Sequence, residues 1–356
     1  MAPLDDLQSL ARLDASDMLG RVHALPDVLT AAFERGAACP LPLQAPTQLL
    51  VCGMGGSAIS GDLVRTWALA EAPLAVTVQR GDGLPAHAGP STLACFLSYS
   101  GNTGETLGAL RQALARRVPA VVITSGGEAA QLAAEAGAPV VALPPGWQPR
   151  AALGDLLGAL LGVASQIVGF PRPDVAGAVA AVQGVRTRCE PHVPTAANPA
   201  KQLAVALAGK VPFVLGATPT TEAVALRWKC QLNENAKLTC HLGLLPEFTH
   251  NDIVNLSAQP QPQLALVSLE DPTDSAFVAR QRAHALDLLA PGLGGLHTVE
   301  GEGRDGLARQ LSLVHLGDWV SVYLGLLGGH DPTPVEAIGA LKRRMAEDHA
   351  ACEVVR

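Results

Sequence analysis

A glycine-rich turn between a strand and a helix constrains this fold more than any other stretch of the sequence. The apolar run Leu49-Leu50-Val51 predicts the end of a buried strand, and three glycines follow within Gly53–Ser57 before a helical segment begins. Glycine lets the backbone turn sharply and lets an anion approach the amide groups. A helix starting here directs free N–H groups and its positive dipole end at that anion. The stretch therefore predicts a phosphate-binding turn with Gly55, Gly56 and Ser57 as ligands.

The same order of strand, turn and helix recurs along the chain and predicts an α/β fold. The first series of predicted strands covers Gln48–Cys52, Leu74–Val78, Thr92–Tyr99, Ala120–Thr124 and Pro139–Leu143. A second series covers Val211–Leu215, Gln263–Val267 and Gly294–Val299. Strands that alternate with helices at this spacing are typical of parallel sheets. We expect two domains, each a parallel sheet flanked by helices in a three-layer sandwich.

Length and local signals suggest where these domains divide. A chain of 356 residues is long enough for about two domains of ~150 residues. We predict an N-terminal domain with leading helices over 1–152, a helical connection over 153–200, and a C-terminal domain over 201–356. The C-terminal domain closes with a helix that carries Lys342. Its predicted start has Thr333 as N-cap, Pro334 at the first position and Glu336 completing a capping box.

Charge and cysteine content restrict the partners. A net charge of −7 without a basic block argues against nucleic acid and against a membrane surface. The seven cysteines are scattered without a CxxC pair, which argues against zinc and favours reduced, mostly buried thiols in a cytoplasmic protein. The acidic N-terminal segment is not typical of a signal peptide. The apolar window Leu153–Phe170 contains Asp155 and Gln166, so a buried helix is expected there rather than a membrane span.

A second turn, Ser98–Thr106, is rich in hydroxyl groups. Ser98, Ser100 and Thr103 alternate with other residues between a predicted strand and a predicted helix. In a parallel sheet this turn and the first one lie on the same carboxyl edge. Together they are predicted to surround one phosphate without a lysine. The simpler alternative is an ordinary loop with a helix cap.

The first turn also matches a dinucleotide fingerprint, Gly53-x-Gly55-x-x-Ala58. Such a site needs an acidic residue about 20 positions later, at the end of the second strand, to hold a ribose. That strand ends here at Gln79-Arg80. NAD is therefore disfavoured, whereas a use of Arg80 toward NADP stays open, as does a tight turn with no ligand.

Gly53–Ser57 and Ser98–Thr106 resemble the paired phosphosugar-binding turns of sugar isomerase (SIS) domains. Three further segments extend the likeness: the run Arg227–Lys237, Pro246–Asn251, and the closing Leu341-Lys342. Together these segments resemble the bifunctional phosphoglucose/phosphomannose isomerase family from about Asp17 to Lys342. The resemblance implies two SIS-type domains. It also implies an intramolecular oxidoreductase of the aldose–ketose isomerase type, without metal or cofactor, that interconverts glucose 6-phosphate or mannose 6-phosphate with fructose 6-phosphate through an enediolate.

The resemblance also implies catalytic roles. Glu234 would carry the proton between C2 and C1, and His250, sixteen residues later, would open the sugar ring from the partner subunit of a homodimer. Arg150 would steady the enediolate, and Lys342 would assist ring opening. From the local sequence alone, each of these four side chains also reads as an ordinary solvated or capping group.

Two rival functions are left open. One is a non-catalytic phosphosugar-binding protein built from the same domains, which would bind ligand without turnover. The other is an NADP-dependent oxidoreductase that uses the Gly53 turn, which would give the hydroxyl-rich second turn no natural role.

Overall fold

The computed structural model describes the backbone of residues 3–354 and the side chains of residues 4–345 and 347. The chain opens with three short helices, α1 (Leu7–Leu13), α2 (Met18–His23) and α3 (Leu25–Ala37). The carboxylate of Asp14 accepts hydrogen bonds of 2.8 Å from the first N–H groups of α2, which fixes where that helix begins. Pro26 lies in the first turn of α3, where its missing N–H costs no helical hydrogen bond.

The first sheet, called sheet A, has five parallel strands in the order β2-β1-β3-β4-β5. The strands are β1 (Gln48–Gly53), β2 (Ala75–Gln79), β3 (Thr92–Leu97), β4 (Ala120–Thr124) and β5 (Val140–Ala142). The helices between them are α4 (Gly55–Ala68), α5 (Gly104–Ala115) and α6 (Gly127–Ala136). All five strands were predicted within three residues of their observed bounds.

Three helices connect the two sheets: α7 (Leu153–Ala164), α8 (Val175–Cys189) and α9 (Pro199–Leu207). Every residue of α7 is buried, which confirms the predicted buried helix, although it ends earlier than expected. Gly158 and Gly162 of α7 lie against the backbone of α3, so the two helices approach closely. Across the described residues, no helix has both the length and the apolar character that crossing a bilayer requires.

The second sheet, called sheet B, has four parallel strands in the order β7-β6-β8-β9. They are β6 (Val211–Ala217), β7 (His241–Leu245), β8 (Gln261–Glu270) and β9 (Leu293–Glu300). The remaining helices are α10 (Glu222–Glu234), α11 (Asp252–Ala258), α12 (Ala276–Leu289), α13 (Gly306–Leu327) and α14 (Glu336–Val354). The two-sheet α/β architecture is therefore confirmed, while the exact domain limits remain a prediction.

One layer of helices is shared by the two sheets. A single buried cluster contains Val51 of β1, Leu157 of α7 and Val214 of β6. The outer face of sheet A is covered by α5 and α6, and the outer face of sheet B by α11 and α12. Polar contacts join the halves inside the shared layer, where Arg65 of α4 pairs with Glu222 of α10 at 2.6 Å. The two halves thus pack as one body.

Sequence reasoning missed two elements and misplaced one helix cap. β7 and α11 were not predicted, because each is short and half exposed and gives little periodic signal. The predicted N-cap role of Thr333 is wrong, because α14 begins only at Glu336. The backbone carbonyls of Pro332 and Thr333 instead accept hydrogen bonds from Arg150, which hold this segment outside the helix.

Candidate active site

The two predicted phosphate turns lie side by side at the carboxyl edge of sheet A. β1 and β3 are hydrogen-bonded neighbours, and Gly53 is paired with Leu97 at their ends. The turn after β1 therefore adjoins the turn after β3, as the parallel-sheet argument predicted. This arrangement sets the start of α4 beside the hydroxyl groups of the Ser98–Thr103 segment.

The first turn presents the amino end of α4. Gly55 has a φ of 50°, a left-handed conformation that favours glycine. The first N–H groups of a helix have no partner within it, so those of Gly55 and Gly56 are available to an anion. The Ser57 side chain lies beside them and is 4% exposed. These are the elements of an anion site, and the binding role of the three residues remains a prediction.

The second turn holds its hydroxyl groups in a fixed arrangement. Ser98 is 1% exposed, and its Oγ donates to Oγ1 of Thr103 at 3.0 Å. Ser100 is exposed and accepts a hydrogen bond of 3.3 Å from the backbone N–H of Asn102. Gly101 has a φ of 70° and packs on the carbonyl of Gly126, so a side chain does not fit there. The turn is thus preformed by backbone packing.

Gly56 connects the first turn with Arg150. A Cβ atom at position 56 would lie 2.7 Å from the carbonyl oxygen of Pro149 and 2.8 Å from Cα of Arg150. Real Cβ atoms do not approach backbone atoms so closely, so any side chain here would push the two segments apart. The start of α4 and the backbone of Arg150 therefore keep a fixed separation.

We expect Gly56→Ala to lower kcat/KM by about 100-fold, because a displacement near 1 Å has that effect on an aligned site. Overpacking should also cost about 1–3 kcal/mol of unfolding free energy. Steady-state kinetics and denaturant unfolding measure the two effects. Gly89→Ala is the matched control, since a Cβ at Gly89 meets no atom within 4 Å. Equal kinetics in the two variants would contradict the fixed separation.

The guanidinium of Arg150 is held on several sides. Nε donates to Oδ1 of Asn235 at 2.8 Å, and Nη2 donates to the carbonyls of Pro332 and Thr333 at 2.9 and 2.8 Å. Nη1 lies 3.6 Å from Oε2 of Glu234. Arg150 is 4% exposed, and this burial lowers its pKa, although a guanidinium stays cationic. A buried, oriented cation thus faces the carboxylate of Glu234.

Glu234 occupies the last turn of α10 and opens into a cavity of about 450 Å³. Its side chain is 29% exposed, so a ligand can reach it. Lys237, His330 and Asp331 contribute to the wall, and the first turn of α14 closes it. Because α10 extends through Glu234, the carboxylate is fixed on a rigid element.

A buried network supports Arg150 from behind. Asp318 of α13 accepts hydrogen bonds from Nε and Nη2 of Arg227 at 3.0 and 2.7 Å, and from Nε2 of Gln231 at 2.9 Å. Nη2 of Arg227 also donates to the carbonyl of Arg150 at 3.1 Å. Asn235 donates to Oγ of Ser321 at 2.9 Å. Helix α13 therefore orients both Arg227 and Asn235, each of which contacts Arg150.

Sequence reasoning missed Asn235, Lys237 and Asp318. The first two lie in the polar Arg227–Lys237 run, of which only Glu234 was given a role. Nζ of Lys237 donates to the carbonyls of Pro332 and Pro334 at 3.1 and 2.6 Å, and so holds the segment before α14. Asp318 had a detectable signal, because an acidic residue within the apolar helix α13 needs a buried partner.

His250 lies on the other side of sheet B from Glu234. It ends a short 3₁₀ helix, Glu247–His250, that belongs with α11 and α12, and the preceding Thr249 accepts a hydrogen bond of 3.2 Å from Gln281 of α12. Phe248 belongs to the buried cluster on that outer face. α10, which carries Glu234, packs on the inner face. Among the residues described, His250 has no hydrogen bond or ion pair with Glu234 or Arg150.

Lys342 is exposed on α14, about one turn beyond Ile338, the last residue of the helix that lines the Glu234 cavity. One chain therefore brings together the two predicted phosphate turns, Arg150 and Glu234, and leaves His250 and Lys342 apart from them. Arg80, which we considered for NADP, forms an ion pair with Asp62 of α4.

Other parts of the molecule do not extend this site. Within the described part of the chain, no group of three or more His, Cys, Asp or Glu side chains is arranged to hold a metal ion.

Five of the six cysteines described are buried, which agrees with the predicted buried thiols, and burial raises the pKa of Cys52 to about 12. A larger cavity of about 970 Å³ lies between α8, α9, β9 and α13, and none of the predicted site residues line it.

The amino-acid sequence of this chain is similar to one family model and to several known proteins. A family model described as the bacterial phospho-glucose isomerase C-terminal SIS domain matches residues 196–345. The bifunctional phosphoglucose/phosphomannose isomerase of Caldicellulosiruptor bescii is 36% identical over 338 residues, which cover 93% of this chain and 99% of that protein. The protein of the same name from Aquifex aeolicus is 32% identical over 300 residues, which cover 83% and 90%.

A solved structure agrees in fold. The crystal structure of a hypothetical protein from Thermus thermophilus matches with a TM-score of 0.75 and 16% identity, covering 96% of this chain and 94% of that one. At this identity the likeness concerns the fold alone. The SIS-type architecture expected from the two turns is thereby confirmed.

Proposed function

Because this chain belongs to the bifunctional phosphoglucose/phosphomannose isomerase family, we propose that it interconverts glucose 6-phosphate or mannose 6-phosphate with fructose 6-phosphate. One observation carries the proposal: Arg150 faces Glu234 at 3.6 Å while its backbone packs on the phosphate turn at Gly56. A carboxylate, a cation and an anion site thus adjoin one another. The enzyme class is intramolecular isomerase of the aldose–ketose type rather than oxidoreductase, since no electrons leave the substrate.

In the proposed mechanism, the sugar phosphate binds through its phosphate to Gly55, Gly56, Ser57, Ser98, Ser100 and Thr103. The carboxylate of Glu234 removes the proton from C2 and returns it to C1. The charge that develops on the enediolate oxygens faces the guanidinium of Arg150. Preorganised cations in a water-poor site stabilise such charge strongly. As C1 takes up its proton, the hydroxyl proton of O2 passes to O1, so the substrate neither gains nor loses a proton overall.

Ring opening needs a second acid or base, and we assign it to His250 of a second subunit. Within one chain, sheet B separates His250 from the Glu234 cavity, so a single hexose phosphate does not span both. A dimer with twofold symmetry supplies two equivalent sites, each with Glu234 from one chain and His250 from the other. Lys342 is proposed to assist ring opening from α14, whose first turn borders the cavity.

Mixing two inactive variants tests the shared site. If Glu234→Gln and His250→Ala chains exchange subunits in equal amounts, roughly a quarter of wild-type activity should return, because half the dimers are mixed and each has one complete site. A coupled assay of fructose 6-phosphate formation measures the recovery. Mixing Glu234→Gln with Arg150→Met is the control and should restore nothing, since both groups come from the same chain. Mixed dimers without recovery would contradict the assignment of His250.

The same assay separates the rival functions. A phosphosugar-binding protein without catalysis would bind glucose 6-phosphate and show no turnover with either hexose phosphate. An NADP-dependent oxidoreductase would instead change nicotinamide absorbance. Fructose 6-phosphate formation without added nucleotide is the result that supports isomerisation.

A further inference from the structure

The loop of residues 144–149, which we call the β5–α7 loop, leads directly to Arg150 and has little packing of its own. Five of its six residues are exposed, and only Trp147 is half-buried. Segments with few buried side chains move more freely than the elements that they connect. Because Arg150 follows this loop immediately, the position of its backbone depends on the contacts that hold the loop.

The hydroxyl group of Tyr99 holds the β5–α7 loop by two hydrogen bonds. It donates to the carbonyl of Pro144 at 2.6 Å and accepts from the backbone N–H of Trp147 at 3.2 Å. The Tyr99 side chain is 4% exposed, and burial raises its pKa, so the phenol stays protonated and able to donate. One side chain thus joins the first and the fourth residue of the loop.

The sequence position of Tyr99 places it within the second predicted phosphate turn, between Ser98 and Ser100. Its backbone carbonyl accepts hydrogen bonds of 3.0 and 2.6 Å from the N–H and the Oγ of Ser125, in the turn after β4. Tyr99 therefore ties together the segments that follow β3, β4 and β5. Among the described residues, the hydrogen bonds between the second phosphate turn and the β5–α7 loop are all made by the Tyr99 hydroxyl group.

A further contact fixes the loop at Trp147. The Cζ atom of Arg21, on α2, lies 4.2 Å from the centre of the Trp147 ring, within the range of a cation–π contact. Trp147 is thus held through its backbone by Tyr99 and through its ring by Arg21. Its indole ring is therefore a built-in fluorescent probe of how firmly the loop is held.

Arg150 is fixed from both halves of the molecule. Its guanidinium bonds to Asn235 and to two carbonyls just before α14, all in the second half of the chain. Its backbone is placed from the first half, by the Gly56 contact and by the loop that Tyr99 holds. The Gly56 contact relates Arg150 to the first predicted phosphate turn, and Tyr99 relates it to the second one.

We propose that Tyr99 is a positioning residue, which sets the distance between the phosphate group of the substrate and the guanidinium of Arg150 by holding the β5–α7 loop. The inference rests on the proposed function, in which that guanidinium faces the enediolate. The loop uses the Tyr99 hydroxyl group both as a donor and as an acceptor, so Tyr99 acts through Arg150 rather than on the substrate. Its loss should slow the chemical step and leave phosphate binding nearly unchanged.

Tyr99→Phe removes the hydroxyl group and keeps the ring, so this variant tests the hold on the loop alone. We expect kcat to fall about 10-fold, less than the roughly 100-fold effect of a displacement near 1 Å, because the Gly56 contact stays in place. KM and the dissociation constant for inorganic phosphate should change less than about 2-fold. The coupled assay of fructose 6-phosphate formation gives the kinetic constants, and titration calorimetry gives the dissociation constant.

Tyr323→Phe is the matched control, since Tyr323 is the other tyrosine of the chain. Tyr323 is fully buried on α13, and its hydroxyl group donates to the carbonyl of Cys189 at 2.5 Å. Each variant loses one phenol hydroxyl and its hydrogen bond to a backbone carbonyl. A purely structural role of Tyr99 therefore predicts the same kinetics for both variants, whereas the positioning role predicts a fall in kcat for Tyr99→Phe alone.

Acrylamide quenching of Trp147 fluorescence measures the loop directly and does not depend on turnover. Trp228 and Trp319 are 1% and 0% exposed, so the quencher hardly reaches them. The contribution of the half-buried Trp67 is subtracted with chains that also carry Trp147→Phe. Quenching of Trp147 should rise in Tyr99→Phe and keep its wild-type value in Tyr323→Phe.

Four results would overturn the positioning role: an unchanged kcat in Tyr99→Phe, an equal fall in Tyr323→Phe, unchanged quenching of Trp147, or weaker phosphate binding that accounts for the lost activity. The failure of the proposed function is distinguishable from each of them. A wild-type chain that forms no fructose 6-phosphate would refute the proposed function, whereas an active wild type with any of the four results would refute the role of Tyr99 alone.

Discussion

Glu234→Gln is expected to lower kcat for isomerisation by about 1000-fold, within the range lost when a positioned proton-transfer group is removed. The amide keeps the size of the side chain but cannot accept the proton from C2. Nothing in the phosphate turns changes, so the variant should still bind sugar phosphate. Arg150 should stay in place, because Asn235, Pro332 and Thr333 hold its guanidinium independently of Glu234.

Kinetics and calorimetry together check this expectation. The coupled assay gives kcat, and titration with a hexose 6-phosphate gives the dissociation constant of the variant. Glu135→Gln, which alters an exposed carboxylate on α6, should behave as wild type in both measurements. Full activity in Glu234→Gln would remove Glu234 as the base, and loss of binding would mean that the carboxylate supports the site structurally.

Asp318→Ala is expected to lower the free energy of unfolding by about 3–5 kcal/mol, the usual cost of leaving a buried charge without its partner. Both carboxylate oxygens of Asp318 accept hydrogen bonds from Arg227, and the two side chains are each 3% exposed. Removal of the carboxylate leaves a guanidinium in an apolar layer. Activity should fall as well, because Arg227 also positions the backbone of Arg150.

Denaturant unfolding at one fixed protein concentration measures the stability change. Glu302→Ala is the control, because its ion pair with Arg188 is about half exposed, with side chains 55% and 45% accessible. Exposed pairs of this kind contribute about 1 kcal/mol or less. Equal losses in the two variants would show that burial does not set the value of the Asp318–Arg227 pair.

The sheet that carries the phosphate turns was predictable from sequence for a physical reason. Its strands are continuous apolar runs, and glycine or hydroxyl residues mark each turn. Parallel topology then brings the turns after β1 and β3 to one edge without further information. β7 and α11 gave no comparable signal, since a short edge strand that contains Gly243 has little apolar periodicity.

The other half of the site depends on contacts between distant parts of the chain. Arg150 contacts Asn235 and Glu234, which lie more than 80 residues later in the sequence. Local composition does not indicate contacts between residues so far apart. Only the family resemblance singled out Glu234 and Arg150. The prediction of Thr333 as an N-cap failed for the same reason. The local sequence fits a capping box, but the backbone carbonyl of Thr333 accepts a hydrogen bond from the distant Arg150.

The contact between Gly56 and the backbone of Arg150 has a consequence for substrate size. It sets a constant offset between the amino end of α4 and the cation beside Glu234. If the chain has the proposed function, this offset fixes the distance between the phosphate group of the open-chain sugar and the carbon atoms that react at Glu234. It determines how many carbon atoms fit between the esterified end and the carbonyl, so a sugar phosphate one carbon shorter would anchor normally yet present the wrong atom to Glu234.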